Sequence, residues 1–352
     1  QKSHRHADED SARRAVDALT EEDEQLGLSE LDYIPLMRLA AETERFREVR
    51  MFGFTHEYDE VKEMQFDAVS YLLPDDTLLV SFMGTDTSLV GWKEDFNMSY
   101  LSAVPAQIRA AAYTEEIAAA CPDRGLRIGG HSKGGNLAAW AAIHIPAPLQ
   151  DRLLAAYNND GPGFSHDMVD SAAYRRVADK LHTYIPESSI VGILLEHAED
   201  YAVIDSSNRS IMQHEPMSWN VEGPRFVYLG QRSPMGKVSD DLLRQWIGSM
   251  TPQEREQFTD ALFDILSMSG KTRTLEDLRA GGLAKMAALL KQYNGADEKD
   301  KKIITEIFRR LASDVKGEMK KAAGEGLKTA EKGLSGVKNV ITGLTKGDKS
   351  EK

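Results

Sequence analysis

The sequence has a single cysteine, Cys121, among its 352 residues. A disulfide within the chain is therefore impossible, and a metal site built from a cysteine cluster is excluded. No signal peptide is visible at the start, and no apolar run reaches the roughly 18 residues that a membrane-spanning helix needs. Since sparing use of cysteine also fits a reducing compartment, we expect a cytoplasmic protein.

The sequence also lacks the basic excess of a nucleic-acid-binding protein. Lysine and arginine together number 43 against 56 aspartates and glutamates, which gives a formal net charge of −13 at pH 7. A nucleic-acid backbone selects proteins with clustered cations, and this balance has the opposite sign. We therefore expect no nucleic-acid partner.

The pattern of the sequence predicts a large α/β unit between two polar ends. Residues 1–25 are charged and poor in large apolar side chains, so we expect a disordered or loosely ordered arm. Segments with strand and helix patterns alternate over residues 26–238, which is typical of a mainly parallel sheet with helices on both faces. Residues 239–312 have only helical patterns and are predicted to form a helical appendage.

The last segment, residues 313–352, is rich in glycine and lysine. Over residues 315–347 seven lysines face three glutamates, so the tail is locally basic. Each glycine costs a helix in water up to about 1 kcal/mol, which favours a tail that is disordered until it binds. The alternative is an amphipathic helix lying on a membrane or partner surface. The tail is therefore our candidate for peripheral contact with an anionic membrane.

The run Gly130-His131-Ser132-Lys133-Gly134 matches the G-x-S-x-G pattern of a nucleophile elbow. In an elbow the serine occupies a tight turn between a strand and a helix, and the glycines prevent clashes around it. The context fits, because a short apolar run at residues 126–128 precedes the motif and an alanine-rich helix pattern follows it. We predict Ser132 as a nucleophile, and a passive glycine-rich turn is the alternative.

Two backbone donors are expected to form an oxyanion hole beside this serine. The first is the N–H of Lys133, the residue after the nucleophile. The second is expected from the loop after an earlier buried strand, where Gly84 and Thr85 lie. The Lys133 side chain itself is interpreted as a solvated surface cation, with attraction of an anionic substrate group as the alternative.

The motifs resemble those of a known family. Residues 82–86, together with residues 130–135, resemble the class 3 (fungal-type) lipases. A wider set resembles still more closely a bacterial group of lipase-like proteins of unassigned function; its segments are residues 91–97, 159–164, 186–192 and 213–214. The resemblance covers roughly residues 26–230.

This resemblance implies an α/β-hydrolase fold with a mainly parallel central sheet, to which the C-terminal helical appendage is added. It also implies a serine hydrolase that cleaves carboxylic esters through a triad and an acyl-enzyme. In the lipases the second oxyanion donor comes from the region that matches Met83, Gly84 and Thr85, and we favour Thr85. Met83 stands where those lipases usually carry arginine.

The general base is sought among the histidines after Ser132, because the order of the triad in this fold is serine, acid, histidine. The candidates are His144, His166, His182, His197 and His214. His214 follows the short strands, lies in a predicted loop and matches the lipase-like pattern. We predict His214 as the base, and a surface-loop histidine is the alternative.

Three carboxylates are candidates for the acid. Asp160 follows the predicted strand at residues 153–157, at the carboxyl edge of the sheet beside the elbow strand. Glu187 follows the next strand, after which class 3 lipases carry their acid, and Asp205 is the third option. We rank Asp160 first and Glu187 second.

The remaining predictions concern the substrate. His131 and Trp92 are candidates for contact with it, although Trp92, in a predicted loop with Asp95, is also explained by packing alone. The chemistry requires neither a metal nor an organic cofactor. We expect a small-molecule or lipid ester, and an amide, a thioester or a non-catalytic scaffold role stays open.

Overall fold

The computed structural model describes residues 10–11, 28–267 and 293–324. The predicted arm, apart from residues 10–11, and the predicted basic tail beyond residue 324 therefore lie outside the described residues. Within the described residues, no helix combines the length and the apolar character needed to cross a bilayer.

In the described part of the chain, a nine-stranded sheet forms the centre, with the strand order β1-β2-β3-β4-β5-β6-β7-β8-β11. Its strands are β1 (Asp10–Ser11), β2 (Arg50–Asp59), β3 (Met64–Leu72), β4 (Leu78–Phe82), β5 (Leu126–His131), β6 (Leu153–Asn159), β7 (Leu181–Pro186), β8 (Tyr201–Ile204) and β11 (Tyr228–Leu229). A separate two-stranded sheet pairs β9 (Val221–Glu222) with β10 (Arg225–Phe226). The consecutive strands β4 to β8 are parallel, and antiparallel neighbours flank them on both sides.

Helices connect and cover these strands. They are α1 (Leu28–Glu42), α2 (Leu89–Asn97), α3 (Pro105–Ala120), α4 (Lys133–His144), α5 (Ala147–Arg152), α6 (His166–Val169), α7 (Ala172–Val177), α8 (Pro234–Gly248), α9 (Pro252–Ser267) and α10 (Glu298–Gly324). Since the parallel strands alternate with helices and the last three helices follow the sheet, the predicted α/β-hydrolase fold with its helical appendage is confirmed.

Strands β3 and β4 form an antiparallel hairpin. Its turn is fixed by local chemistry, because the Asp75 carboxylate accepts a hydrogen bond from the Thr77 N–H at 3.1 Å. Asp76 takes a positive φ of 65°, a conformation that aspartate tolerates better than most residues. The hairpin places the end of β4 beside the end of β5, where the two strands are parallel.

The main hydrophobic core lies under the elbow helix α4. The residues from Leu137 to Ala142 are all buried, and the four alanines among them let the helix approach the sheet closely. On the same core, the rings of Phe66, Phe82 and Tyr113 contact one another at centroid distances of 5.8 to 6.1 Å. The aromatic cluster therefore ties β3 and β4 to α3, and α4 packs on the same core.

The helical appendage has a core of its own that continues onto α2. Phe96 of α2 packs edge-on against Phe263 of α9 at a centroid distance of 5.5 Å. Lys93 of α2 pairs with Asp260 of α9 at 2.9 Å. The domain boundaries predicted at residues 238 and 312 both fall inside helices, α8 and α10, because helical periodicity continues across each of them.

The elbow glycines allow three backbone segments to pack together. A Cβ on Gly130 would lie 2.3 Å from the carbonyl carbon of Gly134, and a Cβ on Gly134 would lie 2.3 Å from the carbonyl oxygen of Phe82. Both neighbours are backbone atoms, so a side chain at either glycine would force β4, β5 and α4 apart.

We expect Gly134→Ala to lower the free energy of unfolding by about 3 kcal/mol, because backbone must move to admit the methyl group. The matched control is Gly248→Ala, at the end of α8, where a Cβ would meet nothing within 4 Å. Urea denaturation checks both variants, and similar midpoints for the two would contradict this account.

Candidate active site

Ser132 occupies a strained turn between β5 and α4. Its backbone has φ 58° and ψ −130°, a region that side-chain-bearing residues rarely adopt. The turn is held by hydrogen bonds on both sides: the Ser132 N–H donates to the Asn159 carbonyl at 3.0 Å, and the Ser132 carbonyl accepts from the Gly135 N–H at 2.9 Å. This is the backbone geometry that a nucleophile elbow requires.

Asp160 and His214 are brought together by two distant parts of the chain. The His214 Nδ1 donates to Asp160 Oδ2 at 2.7 Å, across 54 residues of sequence. Asp160 follows β6, has a positive φ of 53° and is completely buried. Ser189, in the loop after β7, donates its hydroxyl to the same carboxylate oxygen at 2.6 Å. The geometry therefore gives the imidazole a buried, oriented carboxylate partner.

The carboxylate of Asp160 is strongly desolvated. Burial raises the pKa of Asp160, and the hydrogen bonds from His214 and Ser189 oppose that rise. Its other oxygen, Oδ1, is buried without a hydrogen-bond partner among the described residues. A Cβ on Gly192 would lie only 2.2 Å from this oxygen, so the loop after β7 closes directly over it.

The lower-ranked acids lie elsewhere. Glu187 is half-buried, and among the described residues no side-chain hydrogen bond joins it to His214. Asp205 accepts a hydrogen bond from the Asn220 side chain at 2.7 Å. Of the three carboxylates considered from the sequence, Asp160 is the one that contacts the predicted base.

The other candidate histidines have different partners. His144 is bound to Trp140, His166 to Glu196, His182 is stacked on Tyr157, and His197 is bound to Glu199. None of these contacts involves Ser132 or Asp160.

His131 supports the segment that carries His214. Its Nε2–H donates to the His214 carbonyl at 2.8 Å, and the two rings lie 4.5 Å apart. Burial and the neighbouring His214 lower the pKa of His131 to about 3, so the ring is neutral. Trp219 contacts the His131 ring and donates its Nε1–H to the Gln213 carbonyl at 2.8 Å. Contact between His131 and a substrate stays a prediction.

The loop after β4 lies against the nucleophile. A Cβ on Gly84 would be 3.3 Å from the Ser132 Cβ. The Thr85 hydroxyl donates to Asp95 Oδ2 at 2.6 Å. Among the described residues, the backbone N–H groups of Thr85 and Lys133 have no hydrogen-bond acceptor. Both predicted oxyanion donors are therefore free to bind another group.

Trp92 and Asp95 lie in helix α2, and the prediction that they belong to a loop was wrong. Ser88 caps this helix by accepting the Gly91 N–H at 3.0 Å. The helix has only 9 residues and is stabilised by packing against the appendage. The sequence pattern of this segment alone therefore did not predict a helix. Trp92 is 37% exposed. Its role in substrate contact stays a prediction.

Lys133 is not a solvated cation, so the interpretation of its side chain as a surface charge was wrong. The residue is 1% exposed. Its ammonium donates to the Gln65 carbonyl at 2.8 Å and to Glu94 Oε2 at 3.1 Å. Because the side chain is buried and paired, it is also unsuited to attracting an anionic substrate group.

Sequence reasoning missed four residues around the site: Gln65, Glu94, Ser189 and Trp219. Glu94 and Ser189 lie in segments that carried part of the family resemblance, but their residue types alone gave no sign of their contacts with Lys133 and Asp160. Within the described residues, no group of three His, Cys, Asp or Glu side chains is placed to hold a metal ion.

Thr85, Ser132 and Asp160 follow the carboxyl ends of the neighbouring parallel strands β4, β5 and β6, and His214 is hydrogen-bonded to Asp160. The fold is that of the α/β-hydrolases, and the Ser132 turn has the backbone shape of their strand-to-helix elbow. Residues 40–264 match the family model described as Mbeg1-like, and the chain belongs to the Mbeg1-like family.

The chain is also similar to solved structures of fungal lipases. A deletion mutant of the Rhizomucor miehei lipase propeptide complex has a TM-score of 0.36 and 14% identity, with 47% of this chain and 66% of that chain covered. The native complex has a TM-score of 0.34 and 13% identity, with 47% and 68% covered. A Yarrowia lipolytica lipase has a TM-score of 0.32 and 16% identity, with 53% and 72% covered.

The chain thus spans just under two thirds of the first of these lipase chains. At these low TM-scores the likenesses show neither substrate nor mechanism for this chain. No curated relative matches the sequence.

Asp95 gives a test of the electrostatics of the site. Burial raises the pKa of Asp95 from its ordinary value of 3.8 to about 6, although Lys133 and the Thr85 hydroxyl oppose the rise. The folded protein therefore holds a proton that the unfolded chain releases, so Asp95 costs stability as the pH rises through this range.

We expect Asp95→Asn to be more stable than the wild type at pH 8 by about 1–3 kcal/mol, with no difference below about pH 4. Asp75→Asn is the control of opposite sign, because hydrogen bonds from Thr77 lower the pKa of Asp75. Urea denaturation from pH 4 to 8 measures both. An Asp95→Asn protein that is less stable than the wild type at pH 8 would refute this electrostatic account.

Proposed function

We propose that this protein is a serine hydrolase that cleaves carboxylic esters through Ser132, His214 and Asp160. The observation that carries the proposal is the 2.7 Å hydrogen bond from His214 Nδ1 to the buried Asp160 carboxylate, in a chain whose elbow serine has the strained backbone of a nucleophile. An acceptor at Nδ1 fixes the tautomer in which Nε2 is free to accept a proton.

In the proposed reaction, the Ser132 hydroxyl attacks the carbonyl carbon of the ester while His214 Nε2 takes the hydroxyl proton. The bond to the alcohol then breaks, and His214 returns the proton to the leaving oxygen. Water then attacks the acyl-enzyme while His214 takes a proton from it. His214 returns this proton to the Ser132 oxygen as the bond to the acyl group breaks, and the acid leaves. Asp160 stabilises the imidazolium that forms in each step.

The negative charge on the substrate oxygen needs donors that are already in place. The amides of Thr85 and Lys133 are the proposed pair, since neither has an acceptor within the described structure. Lys133 also begins α4, so its N–H lies at the positive end of the helix dipole. Preorganised donors of this kind contribute a large share of the rate in acyl transfer.

The surroundings of the site favour an apolar acyl group. Met83 precedes the oxyanion loop and is 53% exposed, while Met212 and Met217 lie on either side of His214 and are 62% and 39% exposed. Methionine is flexible and polarisable, and it adapts to apolar ligands of varied shape. We therefore propose a small-molecule or lipid ester with a hydrocarbon acyl chain as substrate.

The proposal is tested with a series of p-nitrophenyl esters from short to long acyl chains. We expect turnover by the wild type, a loss of about 10⁶-fold in kcat for Ser132→Ala, and a loss of about 10⁴-fold for Asp160→Asn. Folding of each variant is checked by circular dichroism.

Glu187→Gln is the matched control, since it removes the other carboxylate considered for the triad. It should keep kcat within about twofold of the wild type, because in the described part of the chain no hydrogen bond joins the Glu187 side chain to His214. A large loss in Glu187→Gln with normal turnover in Asp160→Asn would reverse the assignment of the acid. A folded wild type without ester turnover would refute the proposed activity.

A further inference from the structure

Lys133, the residue after the proposed nucleophile, has a buried side chain. Its side chain runs from the start of α4 into the interior, where the residue is 1% exposed. The ammonium donates to the Gln65 carbonyl at 2.8 Å, to Gln65 Oε1 at 2.5 Å and to Glu94 Oε2 at 3.1 Å. All three N–H donors of the ammonium therefore have acceptors.

The partner carboxylate is equally well bound. Glu94 is completely buried. Its Oε2 accepts the Gln65 N–H at 3.1 Å in addition to Lys133, and its Oε1 accepts the Ala106 N–H at 2.8 Å. The ion pair thus links the start of α4 with β3, α2 and the first turn of α3.

A buried ion pair is weak support for stability, because removing two charges from water offsets most of their attraction. Well-packed apolar side chains of similar volume often stabilise a fold as much. The presence of Lys133 and Glu94 inside the core therefore requires a reason other than stability, and Gln65 supplies one.

Gln65 lies between Lys133 and the oxyanion loop. Lysine is only a donor and an aspartate carboxylate only an acceptor, so Lys133 draws Oε1 of Gln65 while Asp67 Oδ2 draws its Nε2 at 2.5 Å. These two charges leave the Gln65 amide one orientation.

In that orientation Gln65 contacts the backbone on both sides of Thr85. Its Nε2 lies 3.5 Å from the Gly84 carbonyl, and its Oε1 lies 3.4 Å from the Asp86 N–H. Each contact is long, but the two together bracket Thr85. A trans peptide points its C=O and N–H in opposite directions, so a Gly84 carbonyl held toward Gln65 turns the Thr85 N–H away from Gln65.

We propose that Lys133 is a positioning residue whose buried ammonium orients the Gln65 amide and thereby fixes the Gly84–Thr85 peptide as an oxyanion donor. The inference rests on the proposed ester hydrolase activity. It predicts that the Lys133 side chain acts on the transition state through Gln65, while its own backbone N–H acts directly.

The test uses two variants that interrupt the link at different points. Gln65→Met keeps the Lys133–Glu94 ion pair and removes the amide. The double variant Lys133→Met with Glu94→Gln removes both charges together, so that neither is left buried alone. Each is assayed on a short p-nitrophenyl ester below its own unfolding temperature.

We expect kcat to fall about 10²-fold to 10³-fold in both variants, as for the loss of one oxyanion donor, with KM changed less than about threefold. The matched control is Lys93→Met, which removes a lysine that pairs with Glu63 and Asp260 from the same helix as Glu94. It should keep kcat within about twofold of the wild type.

A merely structural role would lower the unfolding temperature and leave kcat of the folded protein unchanged. Wild-type kcat in Gln65→Met or in the double variant, with the wild-type enzyme active, therefore overturns the inference and leaves the proposed activity intact. A wild type without turnover overturns the activity itself, and this inference with it.

Discussion

The site depends on one backbone constraint, the turn that holds Ser132 at φ 58°. This conformation is costly for a residue with a side chain, and it persists because neighbouring segments fix it. Because Gly130 and Gly134 have no side chain, β4, β5 and α4 pack so closely that a Cβ at either position would lie 2.3 Å from backbone atoms. The same approach brings Gly84 against Ser132, so the packing that strains the turn also places the loop that we propose as an oxyanion donor.

A second strained turn, at Asp160, follows β6, the neighbouring strand of the sheet. Like Ser132, Asp160 has a positive φ and directly follows a parallel strand. Its carboxylate is buried in the interior rather than exposed to solvent. Desolvation raises the pKa of the acid, and hydrogen bonds from His214 and Ser189 offset part of that cost. The strained turns and the buried carboxylate therefore lie together at the carboxyl ends of β5 and β6. Both lower the stability of the fold at the place where we propose the chemistry.

Much of this arrangement was predictable from local pattern. The hairpin of β3 and β4, the elbow motif and the alternation of strands with helices follow from residue order alone, and the ranking of Asp160 over Glu187 came from its place after the elbow's neighbouring strand. The burial of Lys133 was not predictable, because its partner Gln65 is 68 residues away and only the folded sheet brings them together. Helix α2 was missed for a similar reason, since its stability comes from contacts with the appendage.

We propose above all that Ser132 is a nucleophile activated by its surroundings. Incubation of the folded protein with a fluorophosphonate, followed by peptide mapping, tests it most directly, because the reagent forms a covalent bond only with an activated hydroxyl. The account predicts a single adduct, located on Ser132, that is absent from Ser132→Ala. A folded wild type that stays unmodified, or an adduct on another residue, would contradict the account.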